Sequence, residues 1–243
     1  MYLGEFSGRG VRIAVIDSGV HTAHPHIGGV SGGIAIGEDG RLGDDFVDRL
    51  GHGTAVAAAI HEKAPQAEIV ALKVFWRTLS TDIITLVRAI DLAAERGAAL
   101  INLSLGTGEL RHRDVLQRAV ERARSRGAIV VSAAENDGVE WLPGSLPAVL
   151  PVRLDWTCDR FAYRLVEYRG RRAIAASGYP REIPGVSPGR NLKGISFAVA
   201  NATGFAARAL EAVPGAALPD LVDELWRQQV EDAQAAFLPT RPA

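Results

Sequence analysis

Short apolar segments alternate with helix-like segments over residues 11–132, and this alternation limits the fold more than any other feature. Candidate strands lie at 11–16, 68–74, 99–103 and 128–132, and candidate helices at 52–61, 80–96 and 112–126. The strand segments are apolar on successive residues, which is typical of strands buried on both faces. The pattern predicts an α/β fold, in which a doubly wound, mostly parallel sheet carries helices on both faces.

The rest of the chain is less regular. Residues 21–50 are rich in Gly, His and Asp and are predicted to form a surface excursion, and Ser80 is the predicted cap of the helix that runs to Arg96. Further candidates are strands at 148–154 and 161–168, helices at 194–212 and 219–235, and a frayed tail at 239–243. No repeat or linker divides the sequence, so a single domain over residues 1–243, with a C-terminal helix and tail at 214–243, is the economical interpretation.

Composition restricts the partners and the compartment. The formal net charge is −1, so no basic field indicates nucleic acid or an anionic membrane. No apolar run approaches the roughly 18 residues that span a bilayer. The N-terminus lacks a basic segment followed by an apolar one, which predicts a cytoplasmic protein without a secretory signal. Cys158 is the one cysteine, so no intrachain disulfide forms, and we expect it to be structural.

Three separate blocks place an Asp, a His and a Ser in chemically suitable settings. Asp17 ends the first apolar strand, His52 lies between two glycines before a helix of small residues, and Ser196 lies near the start of another such helix. A serine hydroxyl needs an imidazole to take its proton, and that imidazole needs a carboxylate to orient it. Each residue alone has an ordinary structural explanation, such as a cap or a turn, but the ordered set favours nucleophilic catalysis.

Asn136 is a further candidate, because it follows the predicted strand at 128–132. Its amide could donate a hydrogen bond to the oxyanion of a tetrahedral intermediate. The sequence Asn136-Asp137-Gly138 is also an ordinary turn signal, and both interpretations remain open at this point.

These blocks make the chain similar to the subtilisin-like serine proteases, the subtilase or peptidase S8 family, over about residues 8–213. The resemblance also includes His24-Pro25 and the segment Asn102–Gly106. It implies a three-layer α/β/α fold and hydrolysis of peptide bonds through an acyl-enzyme. The residues that it assigns to catalysis are Asp17, His52, Ser196 and Asn136.

The resemblance also implies substrate contacts. Ser104, Leu105 and Gly106 would pair with the substrate backbone and form one wall of the specificity pocket, and Ala134 and Glu135 would line the pocket for the residue before the cleaved bond (P1). The expected partner is therefore a peptide or protein substrate, with an inhibitory or activating protein left open.

Several residues depart from the family pattern. Ile195 replaces the usual Thr before the serine, Val199 and Ala200 stand where a proline is usual, and Glu135 replaces a glycine. A carboxylate at 135 could select a basic P1 residue, obstruct the pocket or point to solvent.

No cofactor or metal is expected. Only residues 62–67 fill the gap in which the family usually carries a calcium loop, which predicts that this site is lost. The short segment before Asp17 also leads us to expect a catalytic core without a prodomain. His21, His24 and His26 have near-metal spacing, but the family turn accounts for His24-Pro25, so no zinc site is predicted.

The leading hypothesis from these residues is an active serine endopeptidase. Two alternatives stay open: a binding or scaffold protein with a retired active site, indicated by Ile195, Glu135 and the missing proline, and a maturation protease for one cognate precursor peptide.

Overall fold

The computed structural model describes residues 5–237, with side chains for residues 5–229, so the predicted tail at 239–243 lies outside the described residues. The strands are β1 (Arg12–Asp17), β2 (Val30–Ile36), β3 (Leu42–Gly43), β4 (Glu68–Lys73), β5 (Leu100–Leu103), β6 (Ile129–Ala133), β7 (Glu135–Asn136), β8 (Val139–Glu140), β9 (Val149–Leu154), β10 (Tyr163–Tyr168) and β11 (Arg171–Ala176). The helices are α1 (His52–Lys63), α2 (Ile83–Glu95), α3 (Arg113–Ser125), α4 (Ile195–Ala212) and α5 (Leu218–Phe237).

The main sheet of the described residues has the strand order β10-β11-β9-β6-β5-β1-β4-β2-β3. All neighbouring pairs are parallel except β10 with β11 and β2 with β3, which are antiparallel and lie at the two edges. β1 lies between β4 and β5 and is almost completely buried, as its unbroken apolar run predicts. The carboxyl ends of β1, β5 and β6 lie side by side at one edge of the sheet, where sites form in such folds.

Helices cover both faces of the sheet, which confirms the predicted fold class. On one face, α1 and α4 bury Ile60, Phe197 and Phe205 in one core cluster. On the other face, α2 and α3 bury Ile90 and Leu116 in a second cluster. None of the helices in the described part of the chain is long and apolar enough to cross a membrane.

The prediction that residues 21–50 form only a surface excursion is wrong, because β2 joins the sheet beside β4 and β3 continues its edge. Glycines obscured the strand pattern. A Cβ at Gly33 would lie 2.5 Å from the ring of Phe46 and 2.7 Å from the carbonyl oxygen of Ala71, so the strand can pack here only without a side chain. The sequence reasoning also missed β11, which begins with two arginines and turns back from β10.

The predicted cap of α2 is wrong as well. The helix begins at Ile83, and Asp82 caps it by accepting hydrogen bonds from the backbone N–H groups of Ile84 and Thr85 at 2.8 and 2.9 Å. The hydroxyl of Ser80 instead lies 2.9 Å from that of Thr78. Aspartate next to the first helical residue satisfies the free N–H groups directly, which Ser80 is too far away to do.

Candidate active site

Asp17 and His52 form a buried pair at the edge of the sheet. Asp17 is the last residue of β1 and is fully buried, and His52 is the first residue of α1. The Nδ1 atom of His52 lies 2.8 Å from Oδ1 and 3.0 Å from Oδ2 of Asp17. The backbone N–H of Ser18 also donates to Oδ1, at 2.7 Å. The carboxylate is therefore held in place and can fix the orientation and tautomer of the imidazole.

A second buried carboxylate, Asp48, anchors the beginning of α1. It accepts hydrogen bonds from the backbone N–H groups of Leu50, Gly51 and Thr54 at 2.8–2.9 Å, and from the hydroxyls of Ser18 and Thr54 at 2.9 and 2.6 Å. Burial opposes ionisation of Asp48, but these bonds outweigh it and hold its pKa below the ordinary value. Sequence reasoning missed Asp48, because it lies in the stretch interpreted as a surface excursion.

The two carboxylates set the charge of the imidazole. Burial alone would lower the pKa of His52, but the hydrogen bond to Asp17 and the negative charges of Asp17 and Asp48 outweigh it, so the pKa is raised above 6.5. The ring also contacts Phe197, with ring centroids 5.6 Å apart. A raised pKa makes the imidazole a stronger base and stabilises its cation.

Ser196 lies in the first turn of α4, directly after Gly194-Ile195. Its hydroxyl donates to the carbonyl of Ser104 at 3.1 Å, and the hydroxyl of Ser104 donates to the carbonyl of Ser196, also at 3.1 Å. This exchange ties the nucleophile candidate to the segment that follows β5. The described hydrogen bonds do not join the Ser196 hydroxyl to His52. Catalytic hydrogen bonds are often long without substrate and tighten only when it binds.

A buried asparagine strengthens the same junction. Asn102 in β5 donates from Nδ2 to the Ser104 hydroxyl at 3.0 Å and accepts at Oδ1 from the Thr203 hydroxyl of α4 at 2.9 Å. The side chain of Asn102 is fully buried. The sequence placed Asn102 in a family segment, but its partner lies 101 positions along the chain, so this role could not be read from sequence.

Asn136 lies at the tip of a small hairpin. It ends β7, pairs with Val139 of β8, and precedes a turn in which Asp137 and Gly138 have φ angles of 48° and 79°. Positive φ at both central residues is typical of a tight hairpin turn, so the turn interpretation of this sequence is confirmed. The described contacts do not join Asn136 to His52 or Ser196, and its role towards an oxyanion stays a prediction.

Comparison with known proteins identifies the family. The subtilase family model matches residues 8–180. The chain belongs to the subtilase family. Subtilisin Savinase from Lederbergia lenta is 32% identical over 215 residues, covering 82% of this chain and 73% of that protein. Subtilisin E from Bacillus subtilis (strain 168) is 31% identical over 213 residues, covering 83% of this chain and 53% of that protein, so this subtilase spans about half its length.

Solved structures agree with this assignment. The prenylagaramide maturation protease PagA is similar with a TM-score of 0.64 and 27% identity, covering 86% of this subtilase and 79% of that chain. The match to the subtilase family model covers Asp17 and His52 but ends at residue 180, before Ser196. The position of Ser196 therefore rests on the structure of α4 and on its hydrogen bonds with Ser104.

Glu135, which departs from the subtilase pattern, is not a free charge. Its carboxylate forms an ion pair with Arg153 of β9, whose guanidinium lies 5.7 Å from the ring centroid of Tyr168. The hydroxyl of Tyr168 donates to the carbonyl of Ala134 at 3.1 Å. Since Arg153 already neutralises the carboxylate, selection of a basic P1 residue by Glu135 would require this ion pair to open.

The described residues contain no metal site and no activated cysteine beside the proposed active site. No group of three or more His, Cys, Asp or Glu among them lies close enough to hold a metal ion. The rings of His24 and His26 meet edge to face, 5.1 Å apart. Cys158 is buried, and burial raises the pKa of its thiol, which is the opposite of what a nucleophilic cysteine requires.

Proposed function

We propose that this subtilase is a serine endopeptidase that hydrolyses peptide bonds through an acyl-enzyme. The observation that carries the proposal is the buried contact between Asp17 and His52. The ring of Phe197, the residue after Ser196 in the first turn of α4, lies 5.6 Å from that of His52, which supports a site shared with Ser196. Family membership and the relatives named as subtilisins support the same activity.

In the proposed mechanism, His52 takes the proton of the Ser196 hydroxyl as its oxygen attacks the substrate carbonyl. The resulting oxyanion would be stabilised by the Asn136 amide and by the Ser196 backbone N–H, since the first N–H groups of a helix lack partners within the helix. His52 then gives the proton to the leaving amine. A water molecule, activated in the same way, releases the acid product and restores Ser196.

The first test is labelling with a fluorophosphonate probe. We expect wild type to be labelled and Ser196→Ala to be unlabelled, because the probe reacts only with an activated serine. Ser125→Ala is the matched control, since this exposed serine at the end of α3 donates to the carbonyl of Arg122, far from the proposed site on the other face of the sheet. Folded wild type that never reacts would contradict the proposal and favour a retired site.

Asn136→Ala tests the oxyanion role. We expect kcat to fall by about 10²–10³, a magnitude taken from subtilisin itself, which is the worked example of losing an oxyanion-hole side chain. KM should change little, because the bond forms mainly in the transition state. Val139→Ala is the control, since Val139 is exposed and faces Asn136 across the hairpin. Equal losses in both variants would assign the effect to the hairpin instead.

A further inference from the structure

A cavity of about 650 Å³ opens beside the first turn of α1. Gly51, Thr54 and Ala55 line it next to His52, and Leu192 lines it four positions before Ser196. Its volume lies in the range of roughly 300–1,000 Å³ that is usual for ligand sites. The cavity is therefore lined by residues that flank His52 at the start of α1 and by part of the segment that leads to Ser196.

The lining of this cavity carries more positive than negative side chains. It contains three arginines against one carboxylate, together with three histidines: Arg49, Arg181, Arg190, Asp48, His21, His24 and His26. His26 does not add to this charge, because burial and the nearby Arg181 lower its pKa. Asp48 is buried and its oxygens already accept hydrogen bonds, so they are not free to bind a ligand cation, although its negative charge remains. Asp45 offsets the charge of Arg49 at 2.9 Å. Arg181 and Arg190 outweigh the one remaining negative charge, that of Asp48, so the lining keeps a net positive charge.

Hydrogen bonds hold the arginine-bearing wall in place. Arg181 donates from Nη1 to the carbonyl of His26 at 3.2 Å, and Asn191 donates to the carbonyl of Arg181 at 3.3 Å. Asn201, buried in α4, donates to the carbonyls of Ser177 and Tyr179 at 2.9 and 3.0 Å. The wall is thus anchored both to the His26 segment and to the helix that carries Ser196.

The position of the cavity indicates which part of a substrate it meets. Leu105, Gly106 and Thr107 line a different cavity, on the side of the proposed substrate-pairing segment. His52 has to protonate the leaving amine, so the leaving part of a peptide passes on the His52 side. The cationic cavity begins on this side. Ile183, Val186 and Leu192 add exposed apolar surface to it.

We propose that this cavity binds acidic side chains in the part of a peptide substrate that follows the cleaved bond. The inference rests on the proposed endopeptidase function and adds its substrate class, namely peptides with Asp or Glu on the leaving side. Arg181 and Arg190 provide the attraction, and the apolar wall accommodates neighbouring aliphatic side chains.

The test uses internally quenched peptides that share one acyl-side sequence, chosen by screening a random peptide library, and carry Glu, Gln or Lys on the leaving side. We expect kcat/KM to fall in the order Glu, Gln, Lys, by up to about fivefold for each exposed ion pair gained or lost. The preference should shrink with added salt, because salt screens exposed charges.

Charge reversal at Arg190 should weaken the preference. Arg190 is exposed, so in Arg190→Glu we expect the ratio of kcat/KM for the Glu peptide to kcat/KM for the Lys peptide to be about tenfold lower than in wild type. Arg118→Glu makes the same change in net charge on an exposed residue of α3, on the opposite face of the sheet, and should leave the ratio unchanged.

A peptidyl anilide that carries only the acyl-side sequence separates the two proposals, because it has no residue to place in the cavity. Anilide hydrolysis together with equal rates for the three peptides would overturn the cavity inference alone. Failure to hydrolyse either kind of substrate would overturn the endopeptidase function and the inference with it. A Glu preference that Arg118→Glu removes as fully as Arg190→Glu would also overturn the inference.

Discussion

Asp17→Asn is expected to lower kcat by about 10⁴ while leaving the fold intact, the size found for the corresponding change in a trypsin-like triad. The fully buried carboxylate contacts Nδ1 of His52 at 2.8 Å and accepts the Ser18 N–H at 2.7 Å. An amide has the same shape, but it carries no charge and can favour the wrong imidazole tautomer. Single-turnover and steady-state rates on one peptide would measure the loss.

The same variant should also move the pH profile. A general base acts when it is neutral, so the acid limb of kcat/KM for wild type should lie above pH 6.5, because the pKa of His52 is raised. Asp17→Asn removes the attraction but keeps the burial that lowers the pKa, and the limb should move to lower pH. An acid limb that stays in place would show that Asp17 does not set the basicity of His52.

Linkage gives this pair a pH-dependent effect on stability. The pKa of His52 is higher in the folded state than the unfolded value of about 6.5. Protonated His52 therefore adds to the free energy of unfolding in full below about pH 6.5, and this contribution is lost as pH rises through the folded pKa. Denaturant unfolding of wild type and Asp17→Asn should therefore differ more at low pH than at high pH. Asp114→Asn, at an exposed position on α3, is the control and should show no such trend.

The sequence predicted the central part of the fold because the information there is local. β1, β4, β5 and β6 are apolar on successive residues, and the helices between them have clear periodicity. β2 escaped prediction because its two glycines hide the strand pattern, and the close contacts of Gly33 with Phe46 and Ala71 are visible only in three dimensions. Local pattern therefore defines the middle of the sheet better than its edges.

In the candidate site too, local sequence patterns identified some residues, whereas contacts between distant residues appear only in the structure. Asp17, His52 and Ser196 were candidates because each lies in a recognisable block, and the structure brings Asp17 into contact with His52. The exchange between Ser104 and Ser196 joins residues 92 positions apart, so no local pattern reports it. The ion pair of Glu135 with Arg153 likewise depends on the pairing of distant strands.

Gly144→Ala is expected to destabilise the protein by about 3 kcal/mol or more, at the upper end of the cost of overpacking. A Cβ at Gly144 would lie 1.8 Å from the carbonyl oxygen of Ala133 and 2.8 Å from that of Ser132. Both are backbone atoms of β6, a buried strand between β5 and β9 that cannot withdraw without breaking its pairing. Urea unfolding should show a lower midpoint with an unchanged slope.

Gly43→Ala is the matched control, because a Cβ there meets no atom within 4 Å, and its effect should stay within about 0.5 kcal/mol. The change at Gly144 should also reach the proposed chemistry. Ala133 is followed by the segment that ends at Asn136, so a displaced β6 moves the predicted oxyanion donor. The folded fraction of Gly144→Ala should then turn over more slowly than wild type. Turnover per folded molecule equal to wild type would show that the Asn136 hairpin holds its position independently of β6.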